Sequence, residues 1–315
     1  MSPGVVADSS TRYPDVEHWR AVHPDLICVG DITLDVSVES SALAQGGDVH
    51  GRVRIRPGGS SANAATWAAA AGARVRLHGR VGDDLTGRLV SEALRERGVE
   101  PALVADPNAP TGTMLVVHEA GDRSMVADRG ANEALSPDDL PPQLEAGAVL
   151  VSGYILFHQG SEPAGLAALE RADAGHVAVD AGSWPLVARY GLERFFAATE
   201  RATLLFANER EAETLAGVAG ADAARVLAER FPAVCLKLGP RGALVAAGER
   251  VIQREGVPVQ EVDPTGAGDA FDGAFLAALL RGADLEEALD AGCRAGATAA
   301  AGPDPWPPRR QEVPA

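Results

Sequence analysis

Hydrophobic positions along the chain follow two patterns: short continuous apolar runs, and longer stretches with helical spacing. The runs DLICVG, AVLVSGYIL, HVAVDAG, TLLFAN and AVCLKLG are typical of buried strands. From about residue 146 onward they alternate with helical segments such as 162–173, 209–216 and 221–229. Repeated alternation of strand and helix predicts an α/β fold with a mostly parallel central sheet covered by helices on both faces.

Two stretches nearer the N-terminus break this alternation. HGRVRIRP, at 50–57, has Val53 and Ile55 on one face of a strand and three arginines on the other. TGTMLVVHEAGDRSMVADRG, at 111–130, is typical of a hairpin that turns at 120–122. We therefore predict a small antiparallel sheet, with strands from about 36–57 and 111–130, that projects from the main domain as a lid.

The ends of the chain have a different composition from the part between them. Residues 1–24 mix serine, proline and charge without a period, which predicts a loose N-terminal leader. Residues 303–315 form a proline-rich tail that we expect to run over the surface. A single domain is thus predicted over 25–302.

Charge and cysteine content limit the partners and the compartment. The 315 residues carry 28 Lys and Arg against 44 Asp and Glu, a formal net charge of −16. Binding to nucleic acid or to an anionic membrane surface is therefore not expected, because Lys and Arg drive both. Three dispersed cysteines and a first segment without an apolar signal core predict a cytoplasmic protein without disulfides.

The segment EVDPTGAGDAF, at 261–271, places glycines and carboxylates directly before an apolar helix. A loop that enters a helix exposes amides with no partner inside the helix, and the helix dipole adds positive potential there. Asp269 beside a bound phosphate would be a poor ligand but a suitable general base for an attacking hydroxyl. An N-capping aspartate after a glycine turn is the alternative interpretation. Neither GxxxxGK[ST] nor a GxGxxG after the first strand is present.

With GGSSANAATWAAAAG and GRVGDDLTG (58–87), this segment resembles the two signatures of the ribokinase-like, or phosphofructokinase-B, carbohydrate kinase family. The signatures occur in the family's order, about 200 residues apart, and the resemblance covers roughly residues 25–300. It implies a ribokinase-like three-layer fold with a small β lid. It also implies ATP and Mg²⁺ as cofactors and phosphorylation of a sugar hydroxyl.

The resemblance also implies roles on the acceptor side. Asp269 would be the catalytic base, and the amides of Gly266, Ala267 and Gly268 would stabilise charge on the transferred phosphoryl group. Tyr154 stands where ribokinase has a sugar-binding glutamate, and Ser60 stands where it has a lysine, which argues against ribokinase itself. The substrate-binding residues implied are Asp35, Gly59, Ser60, Asn63, Tyr154 and Asp269, with Arg129 of the lid as a selector of the sugar.

A second set of residues matches the nucleotide side of the family. In NERE, Glu211 would organise Mg²⁺ through water, and Asn208 would approach the phosphates. Asp263 would be a ligand for a monovalent cation such as K⁺, although the C-terminal segment is shorter than the cation-binding tail of relatives. The cofactor-binding residues implied are Asn208, Lys237, Gly239, Gly242, Thr265 and Gly268, with Cys293 against the adenine.

Several functions remain open at this point. A sugar kinase is favoured, and a nucleoside kinase of the same family is the first alternative. A sugar-phosphate kinase would need clustered basic residues, which only the lid arginines Arg52, Arg54 and Arg56 could supply. A catalytically silent sugar-binding relative is the alternative from another class. The free edges of the lid predict a homodimer formed through it.

Overall fold

The structure is a computed structural model, and it describes residues 23–40, 46–119 and 122–308. Most of the predicted leader lies outside the described residues, as do two turn residues of the hairpin, at 120–121, and the end of the tail from 309 onward. Thirteen strands occur in the described ranges: β1 (Leu26–Val29), β2 (Thr33–Ser40), β3 (Arg52–Gly58), β4 (Val75–Gly82), β5 (Val99–Asp106), β6 (Gly112–Glu119), β7 (Asp122–Asp128), β8 (Leu144–Ser152), β9 (Ala172–Asp180), β10 (Leu204–Asn208), β11 (Ala233–Lys237), β12 (Ala243–Ala247) and β13 (Arg250–Arg254).

Nine of these strands form one sheet in the order β13-β12-β11-β10-β9-β8-β1-β4-β5. The pairings from β11 through β5 are parallel, and β12 and β13 are added antiparallel at one edge. The apolar runs read as buried strands fall in β1, β8, β9, β10 and β11. The predicted mostly parallel sheet is therefore confirmed.

Both faces of this sheet are covered, because successive side chains of each strand point to opposite faces. In β1, Leu26 and Cys28 pack into one apolar layer, whereas Ile27 and Val29 pack into the other. The helices that cover these faces are α1 (Ser60–Ala70), α2 (Leu85–Glu96), α3 (Gly153–Leu156), α4 (Glu162–Arg171), α5 (Trp184–Tyr190), α6 (Leu192–Ala198), α7 (Glu209–Ala216), α8 (Gly220–Leu227), α9 (Ala267–Leu280) and α10 (Leu285–Ala301). Within the described ranges, every helix is too short or too polar to span a lipid bilayer.

The remaining four strands form the lid sheet, in the order β3-β2-β6-β7. The predicted small sheet is confirmed. Its two outer pairings are antiparallel, and its central pairing, β2 with β6, is parallel. That parallel pairing joins two segments that are distant in the sequence, β2–β3 and β6–β7, into one sheet.

Helices α1 and α9 pack unusually close to each other. α1 consists mostly of alanine, and a Cβ on Gly273 of α9 would overlap the carbonyl oxygen of Ala64. Small residues at both surfaces allow this approach. As a result, Asn63 on α1 and Asp269 in the first turn of α9 can reach each other.

The first residues of the proline-rich tail do not run freely over the surface. Residues 305–307 are buried, and the exposed fraction of Trp306 is 6%. The expectation of a surface tail is wrong for them, because the Trp306 ring packs into the apolar layer that contains α1 and α9.

Candidate active site

The candidate site forms where the carboxyl ends of neighbouring parallel strands meet. Asp180, Asn208 and Lys237 are the last residues of β9, β10 and β11, which lie next to each other in the sheet. Ligand sites of open parallel sheets are found outside this edge. The N-terminus of α9 approaches the same edge, since a Cβ on Gly268 would lie 3.3 Å from Nζ of Lys237.

The loop before α9 has the backbone conformation that an anion site at a helix start requires. Gly266 caps the helix with φ 77°, in the left-handed region, and a Cβ there would lie 2.7 Å from Cβ of Pro305. The amide of Ala267, which the sequence assigned to the transferred phosphoryl group, instead donates to the carbonyl of Pro264 at 3.2 Å. Thr265 lies in this loop, where its amide donates to Oδ1 of Asp263 at 3.0 Å.

Asp269 lies in the first turn of α9, beside the loop. Oδ2 of its carboxylate accepts a hydrogen bond from Nδ2 of Asn63 at 2.8 Å. Burial raises the pKa of Asp269 to about 7, with a further rise from Asp180, while Asn63 and Lys237 oppose the shift. A carboxyl group that changes charge near neutrality can take a proton from a hydroxyl at physiological pH.

Lys237 lies in a dense cluster of carboxylates. Its Nζ lies 2.5 Å from Oδ2 of Asp180 and 3.0 Å from Oδ2 of Asp272. Although burial alone would lower the pKa of Lys237, Asp180, Asp272 and Glu211 hold it well above its usual value. Burial raises the pKa of Asp272 well above its usual value. Lys237 is therefore a fixed cation beside the candidate anion site.

The predicted Asn208–Glu211 pair forms a reciprocal cap at the start of α7. The carboxylate of Glu211 accepts from the backbone amide of Asn208 at 2.8 Å, and Oδ1 of Asn208 accepts from the amide of Glu211 at 3.0 Å. Glu211 is buried, with an exposed fraction of 3%. Burial, and then the nearby Asp180, raise its pKa to about 7.

The chemistry of this cluster fits a divalent cation. Asp180 raises the pKa of Glu211, of Asp269 and of Asp272, and Lys237 interacts with all four carboxylates. Oxygen donors with surplus negative charge are what Mg²⁺ prefers. Among the described residues, however, no three His, Cys, Asp or Glu side chains are grouped closely enough to form a ready-made metal site.

A cavity of about 420 Å³ opens beside the loop and the start of α9. Phe271 and Val259 supply apolar wall, and Lys237 supplies charge at one end. Several residues assigned to the nucleotide from sequence line this cavity: Lys237, Gly239, Gly242, Gly268 and Cys293, together with Ala267 of the anion loop. Its size and lining are those of a small-molecule site.

On the acceptor side, Asp35 lies in β2 of the lid sheet, near the candidate base. Oδ1 of Asp35 accepts from the hydroxyl of Thr33 at 2.7 Å, and Arg56 is its register partner on β3. Burial raises the pKa of Asp35, and the Thr33 hydrogen bond opposes this. Asp35 is close enough to Asp269 to raise the pKa of that carboxyl further. Gly59 caps α1, four residues before Asn63.

Other predicted acceptor residues make contacts within the protein. The hydroxyl of Ser60 lies 2.8 Å from that of Ser152, and the hydroxyl of Tyr154 donates to the carbonyl of Gly182 at 3.0 Å. The guanidinium of Arg129 bonds to Asp31 (3.1 Å), to Glu133 (2.9 Å) and to Ser161 (3.1 Å). The structure thus brings Arg129 to Asp31 rather than to Asp35.

Sequence reasoning missed two carboxylates of the site, Asp180 and Asp272. Asp180 is the last residue of the run HVAVD, so the rule that polar residues at parallel strand ends meet could have found it. Asp272 follows Asp269 by three positions, which places both on one face of α9. It also missed Trp306, whose indole Nε1 donates to Oδ1 of Asn63 at 2.9 Å.

Comparisons with known proteins agree with this architecture. The chain is 30% identical to ribokinase of Bacillus subtilis over 270 residues, which is 84% of this chain and 88% of that protein. It is also 30% identical to cytidine kinase of Thermococcus kodakarensis over 279 residues, 85% of this chain and 93% of that one. A structure of Arabidopsis thaliana ribokinase complexed with ribose and ATP superposes with a TM-score of 0.71 and 25% identity, covering 91% of this chain and 97% of that chain.

The family model described as pfkB family carbohydrate kinase matches residues 23–305. The match spans both sequence signatures, the central sheet and the lid. The ribokinase-like fold and the enzyme class of an ATP-dependent kinase are thereby confirmed. The chain belongs to the pfkB family of carbohydrate kinases.

Proposed function

We propose that the protein transfers the γ-phosphoryl group of ATP to a hydroxyl of a sugar, with Asp269 as the general base. The observation that carries this proposal is the position of Asp269 beside both the glycine loop and the acceptor-side residue Asn63. An acceptor hydroxyl near Asp35 would lose its proton to Asp269 as it attacks. The amides of the loop and the start of α9 would stabilise the charge that develops on the phosphoryl group.

The nucleotide would occupy the 420 Å³ cavity, with its phosphates toward Gly268 and Lys237. Bound Mg²⁺, organised through water by Glu211, would neutralise charge on the phosphate oxygens. Asn208 and Glu211 fix each other's orientation, so this corner of the site is rigid before ligands arrive. We also propose Asp263 as a ligand for K⁺. We rank this site second, because the carboxylate of Asp263 already accepts a hydrogen bond from the amide of Thr265.

The charges around the acceptor side favour a neutral acceptor. Arg129 is engaged by Asp31, and Arg56 forms an ion pair with Asp304 at 3.3 Å. A phosphate group on the acceptor would compete with these two carboxylates for the guanidinium groups, although the buried Nε and Nη1 of Arg56 have no hydrogen-bond partner among the described residues. This favours a sugar or a nucleoside over a sugar phosphate. The 30% identity to both a ribokinase and a cytidine kinase keeps nucleoside phosphorylation as the alternative.

We also propose a homodimer formed through the outer face of the lid sheet. By strand register, Val36 and Val38 share a face with the exposed Val53, Ile55 and, across the sheet, Val126. The exposed fractions of Val53, Ile55 and Val126 are 58%, 63% and 62%. A continuous apolar sheet face of this kind is a typical protein interface, and a second copy offers a face of the same shape.

The function is tested by ADP release from purified protein with Mg²⁺-ATP and a panel of sugars, sugar phosphates and nucleosides. Asp269→Asn is measured alongside, with Asp222→Asn, an exposed aspartate on α8, as the matched control. The proposal predicts acceptor-dependent ADP release in wild type and in the control, and a loss of about 10²- to 10⁴-fold in Asp269→Asn with nucleotide binding retained. Appreciable turnover in Asp269→Asn would contradict the assignment of the base.

A further inference from the structure

A short segment near the C-terminus, residues 304–307, lies against the candidate active site, and we name it the C-terminal clamp. Trp306 bonds to Asn63 of α1, and the indole Nε1 of Trp67 on the same helix donates to the carbonyl of Pro305 at 2.8 Å. Asp304 contributes the ion pair to Arg56 of the lid. The clamp therefore contacts both the helix that carries Asn63 and the sheet that carries Asp35.

The two ends of the Asn63 amide have different hydrogen-bond chemistry. An indole N–H can only donate, so the end that faces Trp306 must be the carbonyl Oδ1, at 2.9 Å. The carboxylate of Asp269 accepts, so the end that faces it must be Nδ2, at 2.8 Å. If the amide rotated by half a turn, two acceptors would face each other at Asp269. The buried indole N–H would also lose its partner, which is costly.

We propose that Trp306 is a positioning residue: it holds Asn63 in the one orientation in which its amide donates to the Asp269 carboxylate. The inference rests on the proposed function, because the orientation of Asn63 affects the reaction only when Asp269 acts as the base. It does not depend on which acceptor is phosphorylated.

The donated hydrogen bond favours the ionised form of Asp269. Burial and the carboxylates Asp180 and Asp35 favour the protonated form, and Asp269 in turn raises the pKa of the nearby Tyr154 phenol. Lys237 and Asn63 favour the ionised form. Loss of the Asn63 bond should therefore raise the pKa of Asp269 and shift the acidic limb of the rate profile to higher pH.

The first test needs no activity. The chain has four tryptophans, so four indole N–H signals are expected in a ¹H–¹⁵N spectrum, and Trp306→Phe identifies the one from Trp306. That signal should titrate in wild type with a midpoint near the pKa of Asp269, about 7, and should not titrate in Asp269→Asn. A Trp306 signal that is constant with pH in wild type, or that titrates equally in Asp269→Asn, would overturn the inference.

The second test is the pH dependence of kcat in Trp306→Phe, with Trp67→Phe as the matched control. Both variants remove an indole bond between α1 and the clamp, but only Trp306→Phe frees the Asn63 amide. The acidic limb should move up by about one pH unit in Trp306→Phe and should stay in place in Trp67→Phe, since a hydrogen bond to a charged group has about that effect. Equal shifts in both variants would overturn the inference, because they would show that any loosening of the contact between the clamp and α1 shifts the acidic limb.

A double-mutant cycle isolates the route through Asn63. In an Asn63→Ala background, Trp306→Phe should shift the acidic limb no further, because the group it orients is gone. A shift that persists in that background would show that Trp306 acts by another path. If Trp306→Phe does not fold, Phe substitutions of the other three tryptophans assign the Trp306 signal by elimination, and the comparison of wild type with Asp269→Asn still decides the inference. A titrating Trp306 signal in a protein that phosphorylates no acceptor would support the inference and overturn the proposed function.

Discussion

Nζ of Lys237 lies 2.5 Å from Oδ2 of Asp180, at the ends of two strands that are separated in the sheet by β10. Asp272 of α9 completes the cluster from the helix side. The cluster therefore joins the carboxyl edge of the sheet to the helix that carries the candidate base. Its removal should affect stability and catalysis together.

Lys237→Met removes the buried cation and leaves the ionised carboxylate of Asp180 without a counter-charge. The free energy of unfolding should fall by about 3–5 kcal/mol, because breaking one side of a buried ion pair leaves uncompensated charge. The matched control is Arg241→Met, which removes an exposed ion pair to Glu209 and should cost about 0–1 kcal/mol. Urea unfolding at pH 7.5 measures both. Equal small effects in the two variants would contradict a stabilising role for the buried Lys237 ion pair.

The stability of the ligand-free protein should depend on the titration of Asp269. The pKa of its carboxyl is raised from 3.8 to about 7, so between these values the folded state binds a proton that the unfolded state does not. Stability from this group is fully present at low pH and is lost as pH rises through that window. Relative to Asp269→Asn, the melting temperature of wild type should therefore fall from pH 5 to pH 8. Taking the difference between the two proteins cancels the contribution of the histidines, and parallel curves would contradict the raised pKa.

Gly273→Ala should separate α1 from α9. The added Cβ would overlap the carbonyl oxygen of Ala64, so the helices must move apart or the backbone must shift. We expect a loss of about 1–3 kcal/mol in unfolding free energy, typical of overpacking. Asn63 should also withdraw from Asp269, which lowers kcat. Denaturant unfolding and steady-state kinetics on the same preparation measure the two effects, and unchanged stability would show that the close packing is not required.

Ile55→Asp should dissociate the proposed homodimer. It places a charge in the centre of the exposed apolar face of the lid, where the exposed fraction of Ile55 is 63%. Leu85→Asp, at the start of α2, is the control, since Leu85 is 74% exposed but lies outside the lid. Sedimentation velocity of wild type and both variants measures the mass. A wild-type monomer, or a dimer that persists in Ile55→Asp, would contradict the proposed interface.

The central sheet could be predicted from sequence because its signals are local. Continuous apolar runs such as AVCLKLG, alternating with helices, are sufficient to indicate parallel strands buried on both faces. The candidate base could also be predicted, since the glycines before Asp269 have a direct physical reason at a helix start. Its neighbour Asn63 came from the resemblance to a family, not from local physics.

The remaining parts depend on contacts between distant residues. Nothing near Asp180 or Asp272 in the sequence shows that both meet Lys237, because that depends on strand order and on how α9 docks. Likewise, the run GPDPWPP has the composition of a surface segment. Trp306 in this run is buried because its indole N–H donates to the amide oxygen of Asn63, which lies 243 positions away in the sequence.

The parallel pairing of β2 with β6 has a consequence for how the protein folds. Thr33 is aligned with Gly112, and the chain between them forms β3, α1, β4, α2 and β5. The pairing of β2 with β6 therefore closes a long loop that also contains α1 and α2, two of the helices that cover the central sheet. Closing this loop costs conformational entropy before the contacts of the pairing can form. We expect the lid to be acquired late in folding, after β1, β4 and β5 have assembled. The acceptor side of the site, with Asp35 on β2, would then be the last part to form.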